Sequence, residues 1–245
     1  MHIFDLNGNH LKSVEPNEKL KKPLGIYVLD NEIFIGNFYA DKPQIFVYDF
    51  DFRLKRKFGD FNLSSPQYLI IDKEYNKNNL YVSDCLKNKI TVWEAKSGMF
   101  IDKIDIEAPM EINFTKQSLF VISCILLRNA KIVNNKVENI KRGGNCIYEI
   151  DKNSLEIKQK IIGDWYSPVG ILKLLPNRNL LTIAYTYDKN RIKSEFRYLL
   201  TLDKNGRILS QILLDGIQGI SDVAVVDNKI IITFNKTLKI FEFDD

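Results

Sequence analysis

Pro23-Leu24-Gly25-Ile26-Tyr27-Val28-Leu29-Asp30 is a short apolar run, and a second run, Glu32–Gly36, follows it directly. The same pair recurs along the chain. Pro66-Gln67-Tyr68-Leu69-Ile70-Ile71-Asp72 precedes Leu80–Asp84, and Pro109-Met110-Glu111-Ile112-Asn113-Phe114 precedes Leu119–Ser123. Pro168-Val169-Gly170-Ile171-Leu172 precedes Leu180–Tyr185, and Ile220–Asp227 precedes Lys229–Phe234. The last pair lies over the first, with Val223–Asn228 matching Ile26–Asn31. The five starts are 43, 43, 59 and 52 residues apart, so two of the units carry insertions. A fixed period of this size marks a repeat architecture.

Each unit has a second half. An apolar or aromatic run leads to a turn and then to a basic run. Such runs are Ile45–Asp49, Ile90–Glu94, Ile147–Asp151 and Leu199–Asp203. The turns read Asn7-Gly8, Ser97-Gly98, Asn153-Ser154 and Asn205-Gly206. Asn-Gly supplies the positive φ of tight hairpins. Four short antiparallel strands in ~40–45 residues, repeated, describe a propeller blade. The predicted fold is therefore all-β: one β-propeller domain over residues 1–245, with five four-stranded antiparallel blades.

The chain ends on Phe241-Glu242-Phe243-Asp244-Asp245, a third strand reaching its turn, and begins on Ile3-Phe4-Asp5-Leu6-Asn7-Gly8, a third strand passing through that turn. Asp5 and Asp244 are equivalent in this alignment. It predicts closure, with residues 1–15 completing the last blade and His10–Val14 lying beside Leu238–Phe243. Closure of this kind removes exposed sheet edges. A truncated six-bladed ring is the alternative count.

The combination Pro23-x-Gly25-Ile26-x-Val28-x-Asp30, then Leu80-Tyr81-Val82-Ser83-Asp84, then Asn88, Ile90 and Val92, resembles the NHL-repeat β-propeller family. The resemblance spans nearly the whole chain. It is clear in the first two units and in the first half of the fifth, and degenerate in the third and fourth. It implies a fold far more than an activity.

Composition narrows the function classes. The 245 residues carry 35 Lys and Arg against 31 Asp and Glu, a net charge of +4, and 45% are apolar. Those values are ordinary for a globular protein and are no nucleic-acid signature by themselves. No apolar run approaches a membrane span. The first residues do not read as a signal peptide, so a cytoplasmic location is expected. Cys85, Cys124 and Cys146 are too few for a disulfide scaffold or a four-cysteine zinc site. Cys124 and Cys146 flank the third unit's insertion, either as a cross-strand disulfide or as two buried thiols.

Catalytic signals are sparse. His2 and His10 are the only histidines, and both lie in the N-terminal hairpin. The chain has no G-x-S-x-G elbow and no Gly-rich phosphate loop. No metal ligand, cofactor or catalytic residue is assigned, and the balance leans away from an enzyme. Asn37, Asp84, Ser123, Tyr185 and Asn235 end the second strands and form a candidate ring at a channel mouth. Side chains of this kind also hydrogen-bond turn amides.

The insertions carry the stronger binding signal. One, Ile125–Asn145, holds Arg128, Lys131, Lys141 and Arg142. The other, Thr186–Phe196, holds Tyr187, Lys189, Arg191 and Lys193. Long loops on a rigid scaffold commonly carry recognition. The reading is a monomeric, non-catalytic protein-interaction platform whose partner is acidic. A single-stranded RNA-binding propeller is the alternative, because basic residues beside aromatics also suit stacked bases. A lyase- or lactonase-like propeller enzyme is the second alternative.

Overall fold

The computed structural model describes residues 1–5, 7–16, 18, 20–38, 42–59, 62–73, 78–123, 131–133, 136–138, 146–161, 166–175, 177–187, 193–214, 220–226, 229–234 and 237–242. At 131–133, 136–138, 166–171, 185–187, 193–196, 220–222, 234, 237–238 and 241–242 the description is limited to the backbone. Every helix or strand among these residues is a strand. The chain groups into two compact units, Met1–Ile112 and Asn113–Asp245.

A hairpin of β1 (His2–Phe4) and β2 (His10–Ser13) opens the chain. The first sheet is β3 (Pro23–Leu29), β4 (Glu32–Asn37), β5 (Gln44–Tyr48) and β6 (Leu54–Phe58). The second is β7 (Pro66–Asp72), β8 (Asn79–Asp84), β9 (Lys89–Glu94) and β10 (Phe100–Asp105). The third is β11 (Pro109–Phe114), β12 (Ser118–Ser123), β15 (Cys146–Asp151) and β16 (Ile157–Ile161). Its long connection holds an extra hairpin, β13 (Lys131–Val133) and β14 (Lys136–Glu138). The fourth is β17 (Tyr166–Leu174), β18 (Leu180–Tyr187), β19 (Lys193–Leu202) and β20 (Ile208–Leu213). The fifth is β21 (Ile220–Val226), β22 (Lys229–Phe234) and β23 (Thr237–Glu242). Each sheet is an antiparallel meander in chain order, which is the blade of a β-propeller, and there are five of them.

Among the described residues β2 is hydrogen-bonded to β1, and the fifth sheet has three strands. The Asp5 carboxylate accepts the amides of Asn7 and Asn9 at 2.9 and 2.8 Å, which turns β1 back onto β2. Met1, Ile3 and Val14 then pack on Ile33, Ile35, Phe46 and Tyr48 of the first sheet. One expectation needs correction, that of Thr186–Phe196 as a loop. The ladder of β18 and β19 runs through it to the pair Tyr187 and Lys193. Thr186, Tyr187, Phe196 and Tyr198 all favour a strand, so the pairing continues.

The cores lie between successive sheets. In the first unit Leu29, Phe34, Ile45 and Val47 meet Leu69, Ile71, Leu80, Val82 and Trp93. In the second unit Ile122 and Ile147 meet Leu172, Leu180 and Leu200, while Leu181, Ile183 and Leu199 meet Val223, Ile230 and Ile232. Two glycines permit the first contact. A Cβ on Gly36 would stand 2.6 Å from the Pro66 carbonyl oxygen, and one on Gly25 2.8 Å from that of Gln67. Both are backbone atoms, so neither position admits a side chain without movement.

The turns between third and fourth strands repeat one device. Asp5, Asp49, Asp151 and Asp203 each accept two backbone amides of the following turn through Oδ1. A carboxylate closing its own turn this way holds the two outer strands in register. Cys85 and Cys146 are buried thiols. Cys124 lies outside the described residues.

Candidate functional site

In the first three sheets the second strand ends at the residue the repeat predicts. Asn37, Asp84 and Ser123 are all buried. Asn37 Oδ1 accepts the amides of Lys21 and Lys22, both at 3.1 Å. Asp84 accepts the Ser64 amide at 2.6 Å and the Ser64 hydroxyl at 2.7 Å. The same carboxylate accepts the amides of Ser65 at 3.2 Å and Lys87 at 3.1 Å. Asn37 and Asp84 are thus engaged largely by backbone amides of the segments next to their strands. In the backbone ladder Tyr185 stands opposite Ser167 and Arg197. Asn235 lies outside the described residues. Among the described residues no three of His, Cys, Asp and Glu gather closely enough to hold a metal ion.

Of the basic insertion residues, Arg128, Lys141, Arg142, Lys189 and Arg191 lie outside the described residues. Lys131 is on β13, opposite Glu138 of β14. Tyr187 and Lys193 are cross-strand partners at the end of the β18–β19 hairpin.

The structure adds a cleft that the sequence did not point to. It lies in the second unit, with a volume of about 660 Å³. Its polar side is the β11–β12 turn, with Thr115, Lys116 and Gln117, together with Arg178 of the β17–β18 turn. Its apolar floor is Leu174, Leu175 and Val225. All three floor residues are half-buried and pack on the cores on either side of the fourth sheet.

Both turns are tightly made. The Thr115 amide donates to the Ser118 carbonyl at 2.9 Å, and Thr115 Oγ1 accepts the amides of Gln117 and Ser118 at 3.3 and 3.1 Å. Lys152 Nζ donates to the Thr115 carbonyl at 3.3 Å and stands 4.6 Å from the centre of the Phe114 ring. Arg178 adopts φ 65°, and its amide donates to the Leu175 carbonyl at 2.9 Å. The Asn177 side chain accepts the Asn179 amide at 3.0 Å. Lys116, Gln117 and Arg178 are therefore presented, exposed, by rigid backbone beside an apolar surface.

Among the described residues that line this cleft none is acidic. It fits a ligand with an apolar group for the floor and an anionic group for Lys116 and Arg178. The signal in sequence was weak: two short polar turns, Thr115-Lys116-Gln117 and Pro176-Asn177-Arg178-Asn179, of the kind that every blade contains.

No family model and no curated protein matches the chain. Solved structures do match in fold. A chain of hydrazine synthase from Kuenenia stuttgartiensis is similar with a TM-score of 0.64 at 15% identity, over 91% of this chain and 58% of that one. This protein thus spans well under two thirds of that chain. A chain of the nidogen–laminin complex is similar with a TM-score of 0.60 at 12% identity, over 90% of this chain and 75% of that one. Virginiamycin B lyase from Staphylococcus aureus is similar with a TM-score of 0.51 at 13% identity, over 91% and 85%. Likeness at such identities establishes the fold, a β-propeller, and nothing about activity. Among the described residues no helix is long and apolar enough to cross a membrane.

Proposed function

We propose that this β-propeller of NHL type is a protein-interaction platform, and that the cleft of the second unit takes an acidic segment of a protein partner. The observation that carries the reading is the cleft itself: two exposed cations on rigid turns above Leu174, Leu175 and Val225. An apolar side chain of the partner fills the floor, and a neighbouring carboxylate pairs with Lys116 or Arg178. Central apolar anchors with charges at the rim are the usual anatomy of a specific contact. A similar fold also occurs in a solved complex between proteins, that of nidogen with laminin.

The basic insertion residues Arg128, Lys131, Lys141, Arg142, Tyr187, Lys189, Arg191 and Lys193 form a second contact region in this reading. In the sequence they fall between second and third strands, whereas the cleft turns fall between first and second. Rigid scaffolds present recognition at both loop-bearing ends.

The test is a pull-down from native lysate with the full chain and with K116E/R178E. The reversed variant should lose the partner, and wild-type recovery should fall steeply with salt, because rim charges act largely through association rate. Equal recovery by both proteins would remove the cleft from the interface.

A further inference from the structure

The β1–β2 hairpin holds both histidines of the chain. In its register His2 stands opposite Ser13 and Ile3 opposite Lys12, but Phe4 stands opposite His10, so Leu11 is skipped. Strict alternation would set His10 and Ser13, three residues apart, on opposite faces of β2. The bulge at Leu11 reverses that, and re-aiming a side chain is what such bulges do. His2, Phe4, His10 and Ser13 therefore share one face of the hairpin. The other face carries Ile3 and Val14, which pack with Met1 on the first sheet. The four residues of the shared face are all exposed.

On that face two ring nitrogens meet one hydroxyl. His2 Nδ1 lies 2.9 Å and His10 Nε2 3.0 Å from Ser13 Oγ. The two ring centres are 5.7 Å apart, with the planes inclined at 57°. Phe4 meets the His10 ring edge-on at 5.3 Å, a contact that restrains its tilt. Ser13 has a single proton to give. It donates that proton to one imidazole, and the other imidazole must then donate its own N–H to Oγ. Nitrogens of two different rings thus converge on one point, and the hydrogen bonds there use the lone pair of only one of them.

Two imidazole nitrogens facing one point suit a metal ion better than a hydroxyl. Zinc–imidazole bonds are about 2.0–2.1 Å long, so an ion at the place of the hydroxyl draws each nitrogen in by about an ångström. Exposed rings make such a movement freely, and Ser13 turns aside by rotation about χ1. Imidazole suits zinc, copper and nickel, whereas magnesium and calcium take oxygen ligands. The Asp5 carboxylate of the same hairpin is engaged by the Asn7 and Asn9 amides and by the Asn9 side chain at 2.8 Å. Water therefore fills the remaining positions. Two protein ligands are fewer than the three or four of resident zinc sites, so the ion exchanges with solution.

We infer that His2 Nδ1 and His10 Nε2 form an exchangeable site for a divalent ion of the zinc, copper and nickel group on the solvent face of the β1–β2 hairpin. This goes beyond the interaction reading and uses neither the cleft nor the insertions. An ion held there joins β1 to β2. The hairpin's other face, with Met1, Ile3 and Val14, packs on Ile33, Ile35, Phe46 and Tyr48 of the first sheet. Metal binding is thereby coupled to the order of that packing, and an ion that prefers the folded hairpin raises the melting temperature.

The experiment is calorimetric titration of the full chain, free of any histidine tag, with zinc chloride and with magnesium chloride as the control. Zinc should bind as a single ion per chain, and magnesium should give no saturable heat. His2→Ala and His10→Ala should each lose the saturable zinc heat, with circular dichroism unchanged because both side chains are exposed. Excess zinc should raise the melting temperature of wild type and leave that of each variant where it is. A second measurement needs no variant: the ring C–H signals of the two histidines should broaden together as copper(II) is added below one equivalent. A wild type that takes up no zinc overturns the inference. So does saturable zinc binding that survives both substitutions, or broadening confined to one of the two rings.

Discussion

The first and second sheets begin 43 residues apart and repeat each other strand for strand, yet their side chains meet different conditions. Leu69 and Ile71 are sealed by a neighbouring sheet, whereas Ile26 and Val28 face solvent. Asp84 ends the second sheet's second strand and gathers three amides and a hydroxyl. Asn37 ends the first sheet's and gathers two amides. Glu32 opens the first sheet's second strand in an ion-pair network, where the second sheet has the neutral Asn79. A repeat therefore sets which faces are apolar and which strand ends are polar. Position within the stack sets how much each residue contributes.

The sharpest way to break this comparison is truncation at matched positions. Leu69→Ala removes buried methyls beside a sheet that cannot collapse onto the gap, and should cost about 2–5 kcal/mol. Ile26→Ala should cost under about 0.5 kcal/mol in the single chain, as for other exposed sites. Urea denaturation midpoints of the two variants check this, and equal losses would mean that the first row is covered after all.

The strand-end polar residues give the next contrast. Asp84→Ala leaves several buried donors without an acceptor and should cost about 3 kcal/mol, given the penalty for unpaired groups near a charge. Asn37→Ala leaves two amides at the chain's entry to the first sheet and should cost about 1–2 kcal/mol. The same denaturation experiment compares them. Matching losses would show that the extra hydrogen bonds to Asp84 add nothing.

The glycine contact is expected to be somewhat weaker. Gly36→Ala places a methyl against the Pro66 carbonyl, and overpacking of this sort should cost about 1–3 kcal/mol. Gly98→Ala serves as a control of a different kind, since its φ of 73° strains any side chain whatever the space. Loss of stability with the amides of β7 still protected from exchange would separate local strain from separation of the sheets.

The smallest effect is a pH dependence confined to the first sheet. Two parallel hydrogen bonds from Arg56, both 2.7 Å, hold the Glu32 carboxyl well below its ordinary 4.5, at about 2, with a further hydrogen bond from Lys55. Arg56 also donates to the Ala95 carbonyl of the second sheet at 2.8 Å, so the pair ties the two sheets together. A carboxyl whose folded pKa is depressed stabilises the fold above its unfolded value and loses that contribution as pH falls toward the folded one. The contribution is therefore complete above about pH 4.5 and fades between there and about pH 2. Arg56→Met should flatten the stability profile over that window and lower stability at neutral pH by about 1 kcal/mol, the scale of a partly exposed pair. An unchanged profile would assign the acid sensitivity to other carboxylates.

Much of this was legible in the residues. The repeated runs located the strands of the five sheets, though not the β13–β14 hairpin inside the third unit's insertion. The Asn-Gly turns at 7–8 and 205–206 sit where hairpins turn, with Gly8 and Gly206 at φ 85° and 81°. Other features were not legible. The length of the β18–β19 ladder turned on how far cross-strand pairing continues past Tyr185. The cleft needed three floor residues from two strands and one turn, brought together only by stacking of sheets.

What the sequence by itself determined was local: where strands start, how they turn, and which alternate residues are apolar, because period-two alternation and turn chemistry act over a few residues. Tertiary structure decided the rest. Whether Ile26 or Leu69 is buried, whether Asp84 is a ligand or an anchor, and whether Lys116 and Arg178 share one cleft all depend on backbone supplied from elsewhere in the chain. Burial and hydrogen-bond satisfaction are properties of the assembled neighbourhood, so identical motifs reach different ends in different blades.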